Sequence, residues 1–187
     1  MRLHRSLVVL SALAAPLPLA GQSSARPAPA PAATPVTVTY RGFTPGRSYK
    51  EFAERARALA RRDTLRCNTS RKTAQLMECG VMIRDSTDGA RFYLSAYVLE
   101  GNVAMVSFTD SGGPTLVEWA RRDLTKRLGP AQRRERSMLE WTNGKRVARL
   151  NWRGAGVARW ISITLRDDDV MNRIARYVRR PAAKGSR

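Results

Sequence analysis

Two segments of the chain place apolar residues at the spacing of an amphipathic helix, and polar residues separate them from runs of alternating character. The first stripe follows Ser48 and consists of Tyr49, Phe52, Ala53, Ala56, Leu59 and Ala60. Ser48 and Glu51 have the spacing of a capping box, so we expect a helix from Ser48 to near Asp63. Thr115 and Glu118 repeat that spacing ahead of a second stripe, which consists of Val117, Ala120, Leu124 and Leu128 and stops at Gly129-Pro130.

Alternation of apolar and polar residues predicts β-strands between and after these helices. The turn pairs Asp88-Gly89, Gly101-Asn102 and Asn143-Gly144 predict that neighbouring strands are antiparallel. The predicted strands are Val36–Tyr40, Leu65–Asn68, Leu76–Arg84, Phe92–Leu99, Val103–Phe108, Ser137–Thr142, Lys145–Arg153 and Ala158–Arg166.

These elements predict an α+β fold, with one or more antiparallel sheets, packed helices and two helix-plus-meander repeats. The first module spans 36–113 and the second spans 114–180, including a C-terminal helix; a basic tail follows at 181–187. Ser48 and Thr115 are as far apart in the chain as Glu51 and Glu118, so the two predicted capping boxes repeat at one spacing. The apolar stripes of the two helices do not keep that spacing. Two unrelated units of similar architecture remain the alternative.

The C-terminal helix has acidic residues at its start and basic residues along its exposed side. Asp167-Asp168-Asp169 invites a calcium interpretation, but an N-cap and its favourable charges explain these carboxylates better. The apolar stripe consists of Val170, Ile174 and Val178. The candidate anion-binding residues are Arg173, Arg176, Arg179 and Arg180.

The N-terminal segment 1–20 has the basic start, the apolar stretch and the small-residue end of a secretory signal peptide. We expect cleavage after Ala20 or after Ala25, and export to the periplasm or the cell exterior. Gln22 stands where lipidation would need a cysteine, so we expect neither a lipid anchor nor a stable membrane span. Residues 21–35 are rich in Ala and Pro and predict an extended linker.

The formal net charge of the chain is +19, and its sequence pI is about 11.4. Such a charge favours anionic partners, namely lipopolysaccharide, teichoic acid or nucleic acid. The alternative is that arginine-rich composition is tolerated without a role.

Candidate chemistry is limited, because His4 is the only histidine and it lies in the predicted signal peptide. A Ser-His-Asp arrangement or an imidazole zinc site is therefore excluded from the mature chain, and we expect no cofactor. A hydrolase built on Glu78, Glu100 or Glu140 is a remaining, weaker hypothesis. Cys67 and Cys79 lack the spacing of a redox motif, and in an exported protein they predict a structural disulfide.

The segment from Thr115 to Trp152 contains a helix, Leu128-Gly129-Pro130 and a strand carrying Trp141. It resembles the helix-plus-meander modules of the SmpA/OmlA envelope proteins and of β-lactamase-inhibitor-like proteins. The resemblance implies an exported, non-enzymatic protein whose sheet binds another protein. We therefore expect a binding or envelope-accessory protein. Its candidate protein-binding aromatics are Trp141, Trp152 and Trp160, with Trp119 and Tyr97 as further candidates and burial in the core as the alternative for each.

Overall fold

The structure is a computed structural model that describes residues 37–84, 91–112, 114–156 and 159–179, with only the backbone at Arg179. The predicted signal peptide, linker and basic tail lie outside the described residues, as do Arg180 and the turn at Asp88-Gly89. In chain order the elements are α1 Tyr49–Ala60, β1 Arg66–Thr69, β2 Leu76–Arg84, β3 Arg91–Leu99, β4 Asn102–Gly112, α2 Pro114–Leu128, β5 Arg133–Glu135, β6 Met138–Asn143, β7 Arg146–Arg153, β8 Arg159–Asp167 and α3 Asp168–Arg179.

The strands of the described residues form one eight-stranded antiparallel sheet in the order β1-β2-β3-β4-β8-β7-β6-β5. Along the chain, a helix with four strands is followed by a second helix with four strands and then by α3. The two meanders meet where β4 pairs with β8, from Met105 opposite Arg166 to Gly112 opposite Arg159. The predicted α+β fold with an antiparallel sheet and packed helices is confirmed.

One face of the sheet carries the main core and is covered by α1 and α2, and we call it the helical face. The helices contribute their predicted apolar stripes, including Phe52 and Ala56 of α1 and Leu124 of α2. A row of directly opposite residues crosses this face from β2 to β6 and is buried throughout: Val81, Leu94, Phe108, Ile163, Leu150 and Leu139. Strand alternation therefore places the apolar set of each strand under the two helices.

Among the helices of the described residues, only α3 packs on the other face, at one end, and we call this face the open face. Val170 and Ile174 of α3 are buried in a second, smaller cluster with Leu76, Leu99 and Ala104. These three strand residues lie where β2 and β4 begin and β3 ends. Val178, the third member of the predicted stripe, is 46% exposed, so the buried stripe of α3 is shorter than predicted.

The predicted strand Val36–Tyr40 is wrong for its described residues. Val38 and Tyr40 are buried, but the backbone turns at Arg41-Gly42, where φ is +50° and +81°. Tyr40 and Phe43 therefore exchange both backbone hydrogen bonds, at 3.1 and 2.9 Å, and form an isolated bridge. The alternation of apolar and polar residues that predicted a strand here did not predict the early turn.

Strand β5 is absent from the sequence prediction. Its three residues, Arg133–Glu135, are charged and exposed, so they have no hydrophobic pattern. The segment is a strand only because its backbone pairs with β6, with Arg134 opposite Leu139.

The capping box of α1 is confirmed, whereas the second predicted capping box is wrong. The Ser48 hydroxyl accepts a hydrogen bond from the Glu51 amide, and the Glu51 carboxylate accepts one from the Ser48 amide, each at 3.3 Å. Helix α2 instead begins at Pro114, whose fixed φ suits the first helical position. Thr115 lies inside the first turn, and the Glu118 carboxylate accepts hydrogen bonds from Arg121.

Replacing Ser48 by alanine is expected to lower the free energy of unfolding by about 1 kcal/mol, because the Glu51 amide at the start of α1 loses its acceptor, the Ser48 hydroxyl. Thr115→Ala is the matched control, with an expected change below about 0.5 kcal/mol. Urea unfolding of both variants measures the difference. Equal losses in the two variants would mean that the structural assignment of the helix starts is incorrect.

Candidate functional site

The open face presents rows of side chains that run across the strands. Residues directly opposite each other in neighbouring strands share a face, so the ladder register defines each row. The central row runs from β2 to β6 and consists of Gly80, Ser95, Ser107, Thr164, Arg149 and Glu140. The next row away from α3 consists of Met82, Tyr93, Thr109, Ser162, Asn151 and Met138.

Hydroxyl groups occupy the middle of the open face, where β4 meets β8. The Ser107 hydroxyl lies 3.1 Å from the Ser162 hydroxyl and 3.4 Å from that of Thr164, so the three form one hydrogen-bonded cluster. Ser107 is buried, with 9% of its surface exposed. A polar middle of this kind suits contact with water or with a polar partner, and it contrasts with the aliphatic rows on the helical face.

Tyr93 is the most exposed large aromatic side chain of the described residues on this face, at 49%. Its phenol lies across Gly80 on the neighbouring strand, in the space that a Cβ at Gly80 would occupy. Beside it is a groove of about 620 Å³, whose lining includes Arg66, Asn68 and Glu78. Glycine at position 80 thus allows an aromatic ring to lie flat on the sheet.

The three candidate tryptophans have different environments. Trp160 is 47% exposed on the open face, with Arg153 opposite it on β7 and Ser111 opposite it on β4. Trp152 is half-buried on the helical face, where it packs against the core. Trp141 is 1% exposed in the same core, so it is unavailable to a partner. Of the three, only Trp160 presents its ring on the open face.

Trp141 instead holds the end of α2. Its indole N–H donates a hydrogen bond to the carbonyl oxygen of Gly129 at 2.8 Å. Gly129 adopts φ +80°, and its amide donates to the Thr125 carbonyl at 2.9 Å, which ends the helix. The hydrogen bond between Trp141 and Gly129 therefore links strand β6 to the end of α2.

Of the candidate anion-binding residues, Arg173 is already paired. Its guanidinium lies 3.1 Å from the Glu100 carboxylate, which also accepts a hydrogen bond from the Tyr177 hydroxyl. This hydrogen bond is the main reason why the pKa of Tyr177 is raised above its usual value. Arg176 is exposed and lines a separate groove of about 320 Å³ with Glu100, Arg173 and Tyr177. The side chains of Arg179 and Arg180 lie outside the described residues.

Two of the three candidate carboxylates, Glu78 and Glu140, lie far apart in the sheet. Glu78 lies on β2 and Glu140 on β6, five strand positions away, which corresponds to roughly 24 Å. Glycoside hydrolysis needs two carboxyl groups roughly 5–10 Å apart. The third, Glu100, lies in the turn between β3 and β4 against α3, and Glu140 is ion-paired with Arg149.

The three aspartates lie at the start of α3, and the first of them, Asp167, forms the predicted cap. Asp167 accepts a hydrogen bond from the Val170 amide at 3.2 Å. The next two carboxylates are ion-paired, Asp168 with Arg166 and Asp169 with Lys145. Within the described part of the chain, no three His, Cys, Asp or Glu side chains cluster closely enough to hold a metal ion.

Cys67 and Cys79 form a disulfide bond between directly opposite positions of β1 and β2. Both face α1: Cys79 is 4% exposed in the core, and the Tyr49 hydroxyl lies 3.6 Å from Cys67 Sγ. The pair is thus on the opposite side of the sheet from the open face.

None of the helices in the described residues is both long and apolar enough to cross a membrane. Comparisons of the chain with protein-family models, with curated proteins and with solved structures found no match. The fold and the surface define the class of this protein by its architecture: an α+β protein with a helical face, an open face and a disulfide at one edge of its sheet.

Proposed function

We propose that the chain is an exported, non-catalytic protein that binds another protein through the open face of its sheet. The observation that carries this proposal is the open face itself, because in the part of the chain that the structure describes two helices cover one side of the sheet and α3 covers only an end of the other. Trp160 and Tyr93 present nearly half of their surfaces there. Tyrosine, tryptophan and arginine are the residues that most often dominate protein interfaces.

Other features of the sequence and the structure add support. The N-terminal segment has the pattern of a signal peptide, and a disulfide suits an oxidising compartment. The only histidine, His4, lies in that segment, which narrows the catalytic alternatives. The resemblance to helix-plus-meander envelope proteins and β-lactamase-inhibitor-like proteins implies a sheet that binds proteins.

Photo-crosslinking from the open face tests the proposal. We expect p-benzoylphenylalanine in place of Tyr93 or of Trp160 to give a discrete protein adduct when the full chain is expressed with its leader and exported. Trp119 is the matched control, since it is 38% exposed but lies on α2. Adducts are detected as bands of defined mass and identified by mass spectrometry. Absence of a protein adduct at both open-face positions, or equal yield at Trp119, would contradict the proposal.

The second candidate function is binding of an anionic polymer through the arginine-rich surface. The excess of basic over acidic residues, 34 against 15, favours it. It differs from the first candidate in its salt dependence, because binding to a phosphate polymer weakens steeply as salt rises. Arg176→Ala is a better probe of this candidate than removal of α3, because that helix buries Leu76 and Leu99.

A further inference from the structure

The end of the open face away from α3 carries a stripe of aromatic and arginine side chains. Arg84 of β2 lies directly opposite Arg91 of β3, and Tyr93 is the next residue of β3 on the same face. Across the sheet, Trp160 of β8 lies directly opposite Arg153 of β7. We call these residues, with Ser111 of β4 opposite Trp160, the aromatic–arginine stripe.

The arginines of the stripe differ from the other arginines of this face. Arg149 and Arg166 are ion-paired, with Glu140 and Asp168. Arg84, Arg91 and Arg153 form no ion pair with another described residue. Two like charges directly opposite each other in a sheet repel, so an external carboxylate placed between Arg84 and Arg91 would relieve this repulsion.

One carboxylate on the helical face lies close enough to act on Arg91. Asp110 of β4 interacts electrostatically with Arg91 and with Arg41. Burial raises the pKa of Asp110, and its carboxylate accepts a hydrogen bond from the Ser111 amide at 2.7 Å. Among its described residues, the stripe itself carries three arginines and no acidic side chain.

Exposed aromatic rings accompany the arginines at both ends of the stripe. Tyr93 and Trp160 are separated by two strand positions and by two residues along the strand, which places their Cα atoms roughly 12 Å apart. Both rings are about half exposed. A partner that covers the two rings would bury apolar surface against them, and its acidic groups could pair with the arginines at the two ends of the stripe.

The spacing of the charges favours a protein over a phosphate polymer. Arg84 and Arg153 lie four strand positions apart, roughly 19 Å, and the positions between them include Ser111 and Thr109. A phosphate polymer carries a charge at every unit, and Arg91 is the one further arginine of the stripe between these ends, so such a polymer would bring more charges than the stripe can pair. A protein surface can place carboxylates at the two ends and amides or hydroxyls in the middle.

We propose that the aromatic–arginine stripe binds an acidic surface of a partner protein, with carboxylates against its arginines and apolar side chains against Tyr93 and Trp160. This inference rests on the proposed function and adds the chemistry of the partner.

The test uses the full exported chain and a fluorescein-labelled peptide of repeating Glu-Glu-Leu, with binding measured by fluorescence anisotropy. We expect the double variant Arg84→Ala/Arg91→Ala and the variant Tyr93→Ala each to weaken binding about tenfold. The matched control is Arg57→Ala/Arg122→Ala, which removes two exposed arginines from α1 and α2 and is expected to leave the affinity unchanged.

Gly80→Ala provides a second probe that keeps every side chain of the stripe. The new Cβ would meet the Tyr93 phenol, which is the exposed end of a flexible side chain and can swing away from the sheet. We expect weaker peptide binding with an unchanged melting temperature, which separates a displaced ring from a destabilised fold.

Three results would overturn the inference: no binding of the peptide, equal affinity in the stripe and control double variants, or tighter binding of polyphosphate than of the peptide. If these occur while photo-crosslinks still form at Tyr93, the open face binds a protein of different chemistry. If the peptide binds and no crosslink to a protein forms, the proposed function fails and the stripe retains only an affinity for acidic chains.

Discussion

Replacing Trp141 by alanine is expected to lower the free energy of unfolding by about 4 kcal/mol. The indole is 1% exposed, and removing it would leave a large cavity between α2 and the sheet. The same change removes the hydrogen bond to the carbonyl oxygen of Gly129, so the end of α2 loses its contact with β6. Urea unfolding followed by circular dichroism measures the loss.

Two variants separate the causes of that loss. Trp141→Phe keeps most of the apolar volume but leaves the Gly129 carbonyl without this donor, so we expect a smaller loss of about 1–3 kcal/mol. Trp160→Ala removes a tryptophan that is 47% exposed, and we expect less than about 1 kcal/mol. A similar loss in Trp141→Ala and Trp160→Ala would contradict the assignment of Trp141 to the core.

Reduction of the Cys67–Cys79 disulfide is the second large effect. The bond joins residues twelve positions apart, and closing so short a loop is expected to stabilise the fold by roughly 3 kcal/mol. For a domain of this size that corresponds to a fall of about 6–12 °C in the melting temperature. Differential scanning fluorimetry of the exported protein, with and without a reductant, measures this fall, and Cys67→Ala is expected to reproduce it.

The disulfide faces α1, so its loss should leave binding at the open face intact. We expect the reduced protein to bind the acidic peptide with unchanged affinity below its melting temperature. The double variant Cys67→Ala/Cys79→Ala controls for other effects of the reductant, because its melting temperature should not respond. Two reactive thiols in the native exported protein, measured by a thiol-specific dye, would show that the bond is absent.

Much of the fold could be predicted because local patterns determine it. The apolar stripes of α1 and α2 have helical spacing, and the turn at Asn143-Gly144 has a glycine at φ +58°, as the hairpin requires. The predictions failed where the pattern of apolar residues does not correspond to the secondary structure. Val38 and Tyr40 are buried without a strand, and β5 is a strand with no apolar residue.

The candidate site could be predicted only in part. Trp141 and Trp160 both lie on strands, and alternation alone does not reveal that one ring is buried and the other exposed. Tyr93 and the arginine pair were missed. A two-residue turn at Asp88-Gly89 would place Arg84 opposite Tyr93, whereas the sheet pairs Arg84 with Arg91, so the turn residues alone did not give this register.

The residue pattern alone was sufficient for the helical stripes, the cap at Ser48, the strand–turn–strand units and the choice of Cys67 and Cys79 as partners, because each depends on residues close together in the chain. The pairing of β4 with β8 and the position of α3 emerged only in three dimensions. They depend on which strand edges and apolar surfaces remain after the local units have formed, and residues far apart in the chain compete for them. Those long-range choices leave one face of the sheet covered and the other open.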